Sequence, residues 1–279
     1  NNPVTEQSTL DQLKGILIKS RNDQKSSPPA IAQALYMYNR YGEESPLLEA
    51  LTTQEILDTN LEELTSLPSN LLDYRQTIAY TGSMPLEELV EVLRRLYPID
   101  GELTATPEFR LRTARQIEET ELKVVDQQTA QAQVRIEFAD GVFNPEDTVL
   151  SSIYTNYFGS GMSSVVFQEL REARALAYSA QARYSQGSRE NAENLMLGVI
   201  GTQTDKTVDA LTAFLDLIDN MPRSSERFEE SVNSLLNRYR TAKLNFREVI
   251  GAVRSWERLG FETDPRRERF QQLQNASLD

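Results

Sequence analysis

Arg171 and Tyr178 stand seven residues apart in the stretch YTNYFGSGMSSVVFQELREARALAYS, Tyr154 to Ser179. Guanidinium and phenol are both hydrogen-bond donors, and the arginine is always charged. A helix that carries Arg171 near its C-terminus, followed by a strand beginning near Leu176, can aim both side chains at one point. Two donors converging on a peptide carbonyl would hold it and stabilise the oxyanion formed when it is attacked. A blander reading of the same spacing stands beside this one. Arg171 then sits on a solvated helix with Glu169, Glu172 and Arg174, and Tyr178 is an ordinary strand aromatic.

Composition limits what else the chain can do alone. Its 279 residues include no histidine and no cysteine. Disulfides, thiolate metal sites and a cysteine nucleophile are therefore excluded, although no compartment is chosen by that fact. Catalytic zinc usually takes two or three His ligands, and Ser–His and Cys–His systems need one. Carboxylate metal sites, Ser–Lys chemistry or carboxylate-pair chemistry remain. The sequence shows no Asp cluster with calcium-loop spacing and no GxxxxGK[ST] loop. Gly159-Ser160-Gly161 lacks a following Lys-Ser/Thr and follows a helix, so it does not read as a phosphate cradle. The net charge of −13 repels phosphate backbones, and nucleic acid is not an expected partner. Arg266, Arg267 and Arg269 make a local basic cluster, read as solvated helix surface. Trp256, Phe246 and Phe261 read as helix-packing anchors rather than a ligand box. No apolar run approaches the roughly 20 residues that span a bilayer, and no basic segment followed by an apolar one reads as a signal peptide in these residues.

The elements that must position Arg171 and Tyr178 follow from periodicity. Helices are expected over 8–24 and 29–40, split by Ser26-Ser27-Pro28-Pro29, and over 52–66, with Thr52 or Thr53 as N-cap and Pro68 as terminator. Residues 74–81, YRQTIAYT, read as a strand. Gly82-Ser83 then turns the chain into a helix over 85–96 with a buried stripe of Leu86, Leu89, Val90, Leu93 and Leu96. Residues 98–120, with Pro98, Gly101 and Pro107, read as a junction. A strand over 131–139 leads to a helix from Pro145 carrying Val149, Leu150, Ile153 and Tyr157. A short helix over 163–173 and strands over 176–185 and 193–203 complete the central section. Helices over 205–220, 224–248 and 249–260 follow, the second with a core face of Phe228, Val232, Leu235, Leu236 and Tyr239.

An internal echo suggests duplication. The segment 38–64 and the segment 256–279 share an aromatic, a glycine about four residues on, an acidic loop and a polar helix start. The first copy leads into 74–81, whereas the second ends with the sequence. The expectation is a fragment cut before a final strand, with 74–81 able to take that strand's place in the sheet.

The Tyr154–Ser179 stretch resembles the C-terminal half of zinc peptidases of the pitrilysin/insulinase (inverzincin) family. Leu170-Arg171 and Leu176-Ala177-Tyr178 match that family's helix-ending arginine and strand-opening tyrosine in register, after a glycine turn and the Ser163–Phe167 helix start. Arg174 lies only four residues from Tyr178 and does not fit. Residues 38–97 and 130–245 resemble the flanking sections more loosely.

The resemblance implies an α+β fold of two related subdomains, each a mixed or antiparallel sheet with helices packed on one face. Residues 1–105 would be the C-terminal part of the first, 106–120 a linker and 121–279 the second, truncated at its C-terminus. It implies the substrate-binding half of a zinc-dependent endopeptidase, in which Arg171 and Tyr178 contact the scissile carbonyl of a peptide substrate. Zinc would belong to the parent enzyme only and would not be bound by this chain. The H-x-x-E-H motif would lie in an N-terminal zinc-bearing half or a partner subunit. The resemblance equally allows a non-catalytic scaffold or assembly subunit. A peptide-binding domain that offers a sheet edge is a third reading.

Overall fold

A computed structural model describes residues 6–96, 102–108 and 111–278, the side chains at 68–70 excepted. The chain forms two compact units, Asn1–Gln127 and Gln128–Asp279.

The first unit is built by local signals. Helices α1 (Gln7–Lys25) and α2 (Pro28–Tyr41) follow the expected spans, with prolines opening α2 where a missing N–H costs nothing. Helix α2 ends at Gly42, whose φ of +57° is the left-handed conformation that suits glycine. The single helix expected over 52–66 is instead two, α3 (Thr53–Asp58) and α4 (Leu61–Leu71). The cause is a second cap. Thr52 and Glu55 form a capping box, and Asn60 and Glu63 repeat the reciprocal bonds eight residues later. Helix α4 also continues past Pro68, expected to end it, as far as Leu71.

Two expectations fail in this unit. Residues 75–81 form no strand, and Tyr74 makes only an isolated parallel bridge to Thr104. The proposed substitution of 74–81 for a final sheet strand is therefore not seen. β-Branched and aromatic residues favour a strand only where a partner is present. Helix α5 (Leu86–Leu96) forms as expected, but its apolar stripe is not buried; Leu86 is 69% and Leu96 66% exposed. An extended segment is fastened to the end of α2 through Arg115. Its backbone N–H donates to the Arg40 carbonyl, its Nε to the Asn39 carbonyl, and its guanidinium to both Glu121 oxygens. Pro98 and Gly101 of the expected junction lie outside the described residues.

The second unit carries a three-stranded antiparallel sheet in the order β1–β3–β2, with β1 at Gln131–Val142, β2 at Ser179–Ser185 and β3 at Glu193–Gln203. The register places Val134, Ile200 and Ala180 in one cross-strand row, and Ile136, Gly198 and Ala182 in the next. These alternate residues make the core face. Against it lie α6 (Thr148–Tyr154), α7 (Thr207–Asp219) and two π-helical segments, Thr155–Gly159 and Phe167–Ala173. Phe158, Val165, Val166, Leu170, Ile200 and Phe214 are fully buried there. The π-helical turns widen the ladder where Gly159 meets the backbone of Ala182; a Cβ at Gly159 would run into the Ala182 carbonyl. Leu150 of α6 faces solvent.

A second cluster joins α6 to α8 (Ser225–Thr241) through Val149, Ile153, Leu235, Leu236 and Leu273. The helix expected over 224–248 stops at Thr241. Asn245 then forms a turn ahead of the next helix, accepting from Arg247 N–H while its own N–H donates to the Glu248 carboxylate. Helices α9 (Val249–Arg258) and α10 (Arg266–Gln274) close the unit. Between them Gly260 has a φ of +78°, so the two echoed segments both turn on a left-handed glycine after a helix. The α+β class holds. No helix among the described residues is long and apolar enough to cross a membrane.

Candidate functional site

Arg171 and Tyr178 are set by one carbonyl. The π-helical segment leaves Leu170 fully buried, and its carbonyl accepts from the amides of both Leu176 (2.8 Å) and Ala177 (3.2 Å). The chain thus reverses directly after the helix, and the next residue, Tyr178, donates its N–H to the Gly201 carbonyl of β3 at 2.8 Å. Further bonds lock the reversal. Thr202 Oγ1 donates to the Leu176 carbonyl at 2.6 Å and Lys206 Nζ to the Ala175 carbonyl at 3.2 Å. Ala175 itself has a φ of +49°, a conformation that costs a non-glycine residue on the order of 1–2 kcal/mol. Strained turns of this kind persist only where the surroundings over-determine them.

The side chains at this turn are accessible and already engaged. Tyr178 is 51% exposed, and its hydroxyl accepts from Gln203 Nε2 at 2.9 Å. The Arg171 guanidinium lies over the Phe167 ring, 4.8 Å from its centroid, with Glu172 Oε1 3.6 Å from Nε. Among the described residues no hydrogen bond joins Arg171 to Tyr178. The backbone brings the two residues to one reversal, and each side chain keeps its own partner. Arg174, the competing arginine, is paired with Glu169 at 3.6 Å. Strand β2 begins at Ser179 rather than 176, because the amides of Leu176 and Ala177 turn back to the helix.

Gln203 and Phe167 were not singled out by sequence. Phe167 sits one helical turn before Arg171, a spacing that could have flagged it. Gln203 is 25 residues from Tyr178 and enters only through strand pairing.

Two tyrosines elsewhere in the second unit are held neutral. Burial pushes the Tyr154 phenol up to about 12. Tyr184 is pushed up to about 12 by burial and by its 2.6 Å bond to the Asp140 carboxylate. Both remain donors at neutral pH and neither can act as a base there. The described residues include no group of three or more His, Cys, Asp or Glu able to hold a metal.

A family model described as "Peptidase M16 inactive domain" matches residues 72–235, more than half of the chain and the whole of the Arg171–Tyr178 turn. The chain belongs to this family. It is the C-terminal, non-zinc half that the resemblance indicated. No curated protein matches the sequence. Among solved structures, the peptidase M16 inactive domain from Pseudomonas fluorescens superposes with a TM-score of 0.68 at 14% identity, over 99% of this chain and 66% of its own. A conserved protein from Enterococcus faecalis V583 gives 0.69 at 16% identity, over 98% of this chain and 63% of its own. A protease from Helicobacter pylori gives 0.68 at 14% identity, over 99% and 67%. At such identities the likeness is one of fold. This M16 domain spans just under two thirds of the length of the first two.

Proposed function

We propose that this M16 domain is the substrate-gripping half of a zinc-dependent endopeptidase. Arg171 and Tyr178 donate hydrogen bonds to the carbonyl oxygen of a bound peptide, and a zinc-bearing N-terminal half or partner subunit supplies the metal. The observation that supports the reading best is the Leu170 clamp. It fixes a charged donor and a phenol on one rigid reversal, both about half exposed, without burying either. Donors held in advance of the reaction stabilise developing negative charge without reorganising. The chain's own residues do not fit zinc, having neither imidazole nor thiolate to offer.

The test uses the complete enzyme, with this domain joined to its zinc-bearing half. Arg171→Ala and Tyr178→Phe are each expected to lower kcat by on the order of 10²-fold. Unchanged turnover in either variant rejects the assignment of that residue. This domain alone is expected to cleave nothing, and zinc-dependent cleavage by the purified chain would overturn the division of labour.

A second reading is favoured by one feature of the same turn. Tyr178 and Arg171 are satisfied by Gln203 and Phe167 without any ligand, as a non-catalytic scaffold subunit would require. Under that reading both variants assemble normally and no peptide binding is lost.

A further inference from the structure

Two features read from sequence as ordinary surface and ordinary packing meet in one place. Helices α8, α9 and α10 of the second unit border a cavity of about 630 Å³ lined by Arg238, Trp256, Arg266, Arg267, Arg269 and Phe270. Its volume lies in the range of small-molecule sites. Among the described residues the one carboxylate on its wall is Asp264, which binds Arg266, whose Nε lies 2.9 and 3.0 Å from its two oxygens. The same guanidinium covers the Trp256 ring at 5.3 Å. Arg269 lies over Phe261 at 4.9 Å. Among the described residues no ion pair holds Arg238, Arg267 or Arg269.

Arg238, Arg267 and Arg269 bring like charges around one cavity, only partly offset by Asp264, which also attracts Arg269, and by Glu268 in the first turn of α10, in a chain whose net charge is −13. The first turn of the nine-residue helix α10 carries Arg266 and Arg267 beside Glu268, and the positive end of its dipole adds to the field of the two arginines. An anion with several oxygens answers all of these charges together. Arginine forks match the oxygens of a phosphoryl group with parallel bonds. The Trp256 and Phe270 side chains offer apolar wall for an organic remainder.

We propose that this cavity binds a small organic phosphate, with Arg238, Arg267 and Arg269 holding the phosphoryl group. The inference does not depend on the peptidase reading.

Trp256 is the single tryptophan of the chain, so its fluorescence reports on this cavity alone. Phenyl phosphate and inorganic pyrophosphate are titrated into the purified chain at constant ionic strength. A saturable fluorescence change is expected with both. Each of Arg267→Gln and Arg238→Gln should weaken it by about 10-fold or more, the loss of one charge-assisted bond. Arg94→Gln on α5 should leave it unchanged. Arg238 and Arg267 are both exposed, and circular dichroism checks that the variants fold. Phosphorus NMR line broadening on the unaltered chain gives a second measure that needs no variant. A response that fails to saturate, that equals the response to added chloride, or that survives both substitutions overturns the proposal. Citrate binding more tightly than pyrophosphate overturns the phosphoryl assignment.

Discussion

The two units differ in how their helices are held. In the second, Phe158, Phe214, Leu170 and Ile200 are fully buried between a paired sheet and the helices on its face. In the first, the fully described caps and turns are in place, yet Leu10 and Ile56 are its only buried hydrophobic residues among those described. Leu13, Ile16 and Leu17 of α1 and Leu86 and Leu96 of α5 stay exposed although their spacing is that of a core-facing stripe. The difference teaches that amphipathic periodicity makes a helix but does not provide its partner. A sheet with a completed face does that in the second unit, where strand pairing lines up Val134, Ile200 and Ala180 for the helices to cover.

The largest test of this contrast is a pair of truncations. Phe214→Ala should destabilise the second unit by about 3–5 kcal/mol, while Leu86→Ala should change stability by less than about 0.5 kcal/mol. Urea unfolding of both variants checks this, and equal losses would erase the distinction. Next is Gly159→Ala, which drives a methyl into backbone rather than a flexible side chain. A cost of about 1–3 kcal/mol is expected, read as a lower urea midpoint at unchanged slope. A smaller effect belongs to the first unit. Thr52→Ala removes the α3 capping box and should cost about 1 kcal/mol of local stability. Hydrogen exchange should show faster amides at the start of α3 and no change in β3; a matching change in β3 would mean that the units unfold as one.

The smallest effect is a pH dependence. The bonds from Arg115, and then from Lys123, hold the Glu121 carboxyl down at about 2. A depressed acid pKa contributes stability above the unfolded value near 4.5 and loses it as pH falls toward about 2. The Arg115 amide should therefore stay protected from exchange down to about pH 4 and lose protection below it. A carboxyl titration midpoint near 4.5 would show that the fastening is not made.

Several elements were legible because their causes are local. The N-cap at Thr52, the prolines opening α2 and the period of Phe228, Val232, Leu235 and Leu236 are written within one or two turns of chain. The break at Asn60 was equally written, as an Asn-x-x-Glu box following the Thr-x-x-Glu one, and was obscured by an uninterrupted apolar period. The strand assigned to 74–81 failed for the opposite reason. Its residues suit a strand, but pairing depends on what lies beside them.

The sequence by itself determined the family, the α+β class, the inability of this M16 domain to build a histidine zinc site, and the register of Arg171 with Tyr178. Each rests on residue identity and short spacing. Only the tertiary structure decided that the Leu170 carbonyl sets both residues on one reversal, that Gln203 holds the Tyr178 hydroxyl, and that Trp256 shares a cavity with Arg238, Arg267 and Arg269. Those contacts join residues on different elements. Their distances depend on packing and strand register, which no local pattern in the chain encodes.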